Sequence, residues 1–388
     1  MKILLSSNAF YAPTGYGVQA KGIINKVLLP LGHEVVHHAW YGLEGGIIKA
    51  GDVKIYPKLH HPYGNDSDVV ARSENVDLCI TLQDVWVLDA DFAQRLPCPW
   101  LGHFPIDGDP IPPKIDAQAR QMAYPVVYSH HASQLMNEAG IKHAYMQQGI
   151  DTDVYSYGDR MAARQELEWP LDKTIITMVA ANKGFPSRKS YPEALQAFKM
   201  YHDHNPNSIL YLHTEKYPRG SGLNLIDVMR LVGLTDNEVK FVNQADYLIG
   251  MPEEYLAQVY RASDLLLAPS MGEGFGLPIA EAQSCGCPVI TTDVTSMSEL
   301  TINGTSCRPL QRTYSPLGHW QYTADVDEIY HAMWAWFEQD ENTLREKSID
   351  GSEYFKKYYS WDYVRDAFWY PLLDKIETDL GIKEAVTA

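Results

Sequence analysis

Cysteine is scarce, five residues in 388, and no two of them stand in C-x-x-C spacing. The odd set Cys79, Cys98, Cys285, Cys287 and Cys307 argues for reduced thiols and against a disulfide framework or a zinc site. Long apolar runs are missing too, so no segment is expected to cross a bilayer. The N-terminal MKILLSSNAFYAPTG turns polar too soon for a secretion signal, which leaves a cytoplasmic protein as the expectation. Positive charge is in short supply: 32 Lys and Arg face 49 Asp and Glu, for a net charge of −17. Tight binding to nucleic acid or to an anionic membrane is thereby disfavoured, although local basic patches stay open. Lys21, Lys26, Lys49, Lys54 and Lys58 make the first sixty residues mildly basic and are taken as a solvated face. Neither short repeats nor low-complexity tracts occur.

What is present is an ordinary globular composition, 45% hydrophobic and 21% charged, over a length that suits two domains. Strand and helix patterns alternate. KILLSS, a helix from Gly15 closed by Gly32, and HEVVHHAW form a βαβ unit; VDLCITL, CPWLGHF and YPVVYS add buried strands, and HHASQLMNEAGI a helix. The polar stretch 156–172 suits a crossover between domains. The alternation restarts with TIITMVAANK and runs to CPVITTD. Two such halves predict an α/β protein of two doubly wound, Rossmann-like domains facing a cleft, at 1–165 and 166–358, with a closing helix at 359–388 that packs back on the first. Trp334, Trp336, Phe337, Trp361, Phe368, Trp369 and Tyr370 are expected in core or docking surface.

The chemistry concentrates in APSMGEGFGLPIAEAQSCGCPVITTD, residues 268–293. DLLLAPS ends at the carboxyl edge of a parallel sheet, and Pro278 suits a first helical position. The N–H groups of Gly274, Phe275, Gly276 and Leu277 then make a cradle for a diphosphate. Glu273 and Glu281 flank it, and carboxylates beside phosphates repel unless each reaches past them to neutral hydroxyls. A ligand with hydroxyls on both sides of a diphosphate is a nucleotide-sugar: Glu281 would take the ribose and Glu273 the transferred sugar. An alternative has the two carboxylates holding a magnesium ion on the phosphates. It is less needed because NKGFPSRKSYPEAL brings Lys183, Arg188 and Lys189 to the same edge, where fixed cations can neutralise a departing nucleoside diphosphate without metal.

These residues resemble the retaining, GT-B-fold glycosyltransferases of family 4. Besides Glu-x7-Glu, the similarity includes QGIDTDVYS, YSWDYV, PTGYGVQ and Glu299. The resemblance implies a hexosyltransferase-type enzyme that needs no cofactor and uses a UDP- or GDP-sugar as co-substrate. It implies donor-sugar contact at Glu273, ribose at Glu281, phosphates on the amides of 274–277, and the diphosphate on Lys183 and Lys189. Lys183 departs from the family's usual arginine, so a point charge replaces a fork. Gly15 and Gly17 bring first-domain amides close to the donor. His103 stands where the family often has a histidine near the donor sugar and is a catalytic candidate with Glu273 and Lys189. Asp107 and Asp109 just beyond it are acceptor-side candidates. Transfer with retained configuration follows, the phosphate oxygen taking the acceptor's proton. An epimerase or phosphorylase on the same scaffold, or a silent sugar-nucleotide binder, are the alternatives. Acceptor chemistry and oligomeric state stay open.

Overall fold

Runs buried on both faces make parallel strands, and KILLSSN, LCITL and WLGHF do so at Lys2–Asn8, Leu78–Leu82 and Trp100–Phe104. The computed structural model describes residues 1–218 and 220–383. Its first sheet runs, in spatial order, Ile48–Ala50, Val53–Pro57, Glu34–Tyr41, Lys2–Asn8, Leu78–Leu82, Trp100–Phe104, Tyr124–Val127 and Ala144–Tyr145. Only the pair at Ile48–Ala50 and Val53–Pro57 is antiparallel. The second sheet is wholly parallel: Val239–Phe241, Ser208–His213, Thr174–Val179, Leu265–Ala268, Val289–Thr292 and Gly304–Cys307. Both sheets grow outward from their middle in two directions, the doubly wound pattern.

Two compact units result. One holds Met1–Asp151, Pro316–His319 and the chain from Tyr358 on; the other holds Thr152–Ser315 and Trp320–Lys357. The divisions fall after Asp151 and Lys357, where 165/166 and 358/359 were expected, so the helix at 160–166 goes with the second unit, and residues 384–388 of the expected closing segment lie outside the described residues. The polar stretch 156–172 is not bare crossover. It forms the helix Arg160–Glu166, capped by the Asp159 carboxylate on the Ala162 N–H. Its buried Arg164 donates to Asp264 Oδ2 at 2.6 Å and to the Ala262 carbonyl at 2.9 Å, which ties the helix to the second unit.

In the first unit the helix Gly15–Gly22 is capped by Thr14 and continues in wider π turns through Ile23–Leu28 before Gly32, at φ +82°, ends it. Trp361 packs directly against this helix: a Cβ at Gly22 would sit 1.9 Å from its ring, and one at Gly149 2.6 Å. In the second unit Tyr191, Phe198 and Tyr201 of the helix Tyr191–His204 pack with Met333 and Trp336 of Val326–Phe337 in one core. A separate two-stranded ribbon, Pro309–Ser315 with His319–Ala324, has no counterpart in the sequence expectations. Four of the five thiols are buried and Cys98 is half-buried. Among the described residues no helix is long and apolar enough to cross a membrane.

Candidate functional site

The second sheet reverses its order between Thr174–Val179 and Leu265–Ala268, which lie side by side. Loops leaving the carboxyl ends of such a pair diverge and open a crevice between them. Here one loop carries Lys183, Arg188 and Lys189, and the other carries Glu273. They are tied together: Met271 N–H donates to the Arg188 carbonyl at 2.8 Å, and the Arg188 guanidinium donates to the Gly272 carbonyl at 2.6 Å. The Lys189 ammonium donates to Glu273 Oε1, and Arg188 Nη1 lies 3.7 Å from Glu273 Oε2. Burial pushes the Glu273 carboxyl up, but the charges of Lys189 and Arg188 overcome it and hold it down at about 2. Glu273 is therefore ionised at every working pH.

The turn after Glu273 is latched from behind. Its N–H donates to Thr295 Oγ1 at 3.0 Å, while the one hydroxyl hydrogen of Ser296 is shared between the carbonyls of Glu273, at 2.8 Å, and Phe275, at 2.7 Å. Gly276 turns the chain into the helix Leu277–Ser284 at φ +106°, in the left-handed region where other residues are strained. Its carbonyl already accepts from Ile279 and Ala280, and Pro278 fills the first turn. The amides ahead of those residues form the helix entrance, carrying the positive end of the helix dipole.

Glu281 lies on that helix and is 5% exposed. Tyr260 donates its hydroxyl to Oε2 at 3.0 Å. Burial pushes this carboxyl up to about 7, with Tyr260 opposing and the Glu253 charge adding to the rise. The site thus holds one carboxylate locked in its charged form and another poised to take a proton near neutrality.

The remaining sequence candidates are distributed as follows. Lys183 is exposed and holds no ion pair among the described residues. Gly17, in the first unit, sits where a Cβ would meet the Ala12 carbonyl at 2.3 Å and the Ala9 carbonyl at 2.8 Å, so only glycine fits; Gly15 begins the same helix. His103 is buried, its Nε2 facing the Met146 carbonyl at 3.2 Å and its ring edge-on to Tyr128 and Trp369. Burial pulls it down to about 4, so it is neutral. Asp107 and Asp109 lie in the loop after its strand, half-buried. Among the described residues no three or more His, Cys, Asp or Glu side chains gather as a metal set. Thr295, Ser296 and Tyr260 were missed from sequence, since a hydroxyl and an aromatic on separate elements give no local signal.

Residues 185–314 match the family described as glycosyl transferases group 1. A D-inositol 3-phosphate glycosyltransferase of Rhodococcus erythropolis is 34% identical over 160 residues, 40% of this chain and 34% of that protein. The Mycolicibacterium smegmatis enzyme of the same name is 34% identical over 41% of this chain. The matched stretch spans about a third of each relative. Among solved structures, sucrose-phosphate synthase of Thermosynechococcus elongatus superposes with a TM-score of 0.77 at 17% identity, covering 97% of this chain and 99% of the other. Anabaena HepE, solved with UDP-glucose, gives 0.70 at 16%, covering 96% of this chain and 100% of its own. The fold is GT-B.

Proposed function

Starting from a chain that carries a glycosyl transferases group 1 domain at residues 185–314, we propose that it moves a sugar from a nucleoside-diphosphate sugar to an acceptor hydroxyl. Configuration at the anomeric carbon is retained and no metal is used. The observation that carries this reading is the Lys189, Arg188 and Glu273 cluster at the sheet reversal, beside a glycine-opened helix entrance. Lys189 and Arg188 exchange Glu273 for the diphosphate when the donor binds, because a dianion competes well for two cations. Glu273 is then released to accept from hydroxyls of the transferred sugar. The amides of 274–277 hold the phosphates, Lys183 adds a point charge from its exposed position, and Glu281 takes the ribose. For the first unit we assign donor contact to the backbone at Gly15 and Gly17, a role toward the donor sugar to His103, and acceptor contact to Asp107 and Asp109.

Catalysis on this reading is charge stabilisation. Cations and amides take up negative charge on the leaving diphosphate, and Glu273 steadies the oxocarbenium-like sugar. No carboxylate nucleophile of the kind retaining glycosidases use is invoked; a phosphate oxygen takes the acceptor's proton. UDP-sugars are the first donors to test, since the neighbour HepE is solved with UDP-glucose. Thermal-shift titration with UDP- and GDP-sugars should find a stabilising donor, which the protein should hydrolyse slowly without acceptor. Lys189→Ala should lower that turnover about a hundredfold or more, on the scale of one lost transition-state contact. Unchanged turnover in Lys189→Ala, or no donor that stabilises the wild type, refutes the assignment.

A further inference from the structure

The first unit's sheet also reverses, between Lys2–Asn8 and Leu78–Leu82, and the carboxyl ends of such a pair are where open sheets bind ligands. The chemistry offered there is one-sided. The loops after the strands Lys2–Asn8, Leu78–Leu82, Trp100–Phe104 and Tyr124–Val127, residues 9–14, 83–91, 105–112 and 128–129, contain Asp84, Asp89, Asp91, Asp107 and Asp109 but no lysine or arginine. Asp89 and Asp91 turn to Arg95, at 3.1 and 3.4 Å. Asp84 accepts from the Tyr16 hydroxyl, which also feels the charge of Asp107.

Three buried atoms at the ends of these same strands are acceptors that no donor among the described residues reaches: Asn8 Oδ1, Gln83 Oε1 and His103 Nδ1. Their residues are 6%, 1% and 1% exposed. One amide hydrogen of Asn8 Nδ2 goes to Thr14 Oγ1 at 2.7 Å and one of Gln83 Nε2 to the Tyr63 carbonyl at 3.0 Å, while His103 Nε2 faces the Met146 carbonyl. Buried acceptors without donors are costly, and together with the carboxylates they favour a ligand that supplies hydrogens. A phosphate supplies none at neutral pH and is repelled by Asp84 and Asp107.

We infer that the first unit binds an uncharged, hydroxyl-donating acceptor, a sugar or polyol, through Asp84, Asp107 and the Tyr16 hydroxyl, and turns phosphorylated acceptors away. This rests on the transferase reading given above. The test supplies the full chain and its stabilising donor with myo-inositol, glucose and maltose, and in parallel with inositol 3-phosphate and glucose 6-phosphate. Acceptor binding by calorimetry and product by mass are both followed. At least one neutral compound should bind and be glycosylated, with the phosphate esters bound at least about tenfold more weakly. Asp84→Asn should raise the neutral acceptor's KM about tenfold or more, the scale of a hydrogen bond to a charged group. Asp89→Asn, on a carboxylate held by Arg95, should not. Donor stabilisation in the thermal shift reports that each variant is folded. Preference for a phosphate ester, silence of all three neutral probes, or an unmoved KM in Asp84→Asn overturns the inference while leaving donor hydrolysis, and so the transferase reading, intact. Absence of donor binding in the wild type sinks that reading instead, and calorimetry of the two probe sets then still decides the charge preference.

Discussion

Glu273 and Glu281 are chemically identical side chains on one short segment, yet burial raises one to about 7 while two cations hold the other at about 2. Opposite pH behaviour follows. Glu273 lies below its ordinary value of 4.5, so its contribution to stability is present above that pH and is lost as pH falls toward 2. Glu281 lies above the same value, so the folded state holds a proton that the unfolded chain has released; stability declines as pH rises from 4.5 through 7. Glu281→Gln should abolish that decline, as urea denaturation at pH 5 and pH 8 would show. Donor affinity should move the other way, strengthening as pH rises through 7, because ribose hydroxyls need the ionised acceptor; calorimetry on the wild type checks it, and Glu281→Gln should flatten the curve. The acidic pair and the cations were legible in the sequence because their spacing is local. Their division into a locked and a titratable carboxylate was not, since Tyr260 reaches Glu281 from another helix.

On the scale of elements, the turn from Glu273 to Gly276 is shaped less by its own residues than by Ser296 and Thr295, which begin the helix Thr295–Leu300. Ser296 is fully buried. Ser296→Ala strands two carbonyls that share its hydrogen, at a cost of about 1–3 kcal/mol, and it should weaken donor binding more than it lowers the melting temperature allows for. Calorimetry alongside denaturant unfolding separates the two effects. Pro278 and Gly276 announced the helix start in the sequence through proline's fixed φ and glycine's freedom. The latch was invisible because its hydroxyl comes from beyond the next strand. The helix Arg160–Glu166 escaped notice for a related reason: its anchoring residue is a buried arginine paired with Asp264, which looks polar in a one-dimensional pattern.

For the molecule as a whole, the alternation of strand and helix made two doubly wound sheets readable, because strands covered on both faces must be continuously apolar. The ribbon at 309–324 was not readable, its first strand being mostly exposed and its second mostly half-exposed, with mixed character. The chain from Tyr358 on belongs to the first unit, where Trp369 and Ile376 are fully buried. Trp369→Ala should cost about 3–5 kcal/mol, seen as a lower urea midpoint, and a variant that unfolds at the wild-type midpoint would show that this segment adds nothing to the first unit's core.

The sequestered thiols provide a built-in clock. Burial pushes Cys98 up to about 11 and the other four higher than their ordinary value as well, so the native state presents almost no thiolate to an alkylating reagent. Each opening of the chain uncovers nucleophiles, and a brief iodoacetamide pulse followed by intact-mass counting of the alkyl groups added would read out how often either half breathes, with no engineered probe and no tryptophan altered.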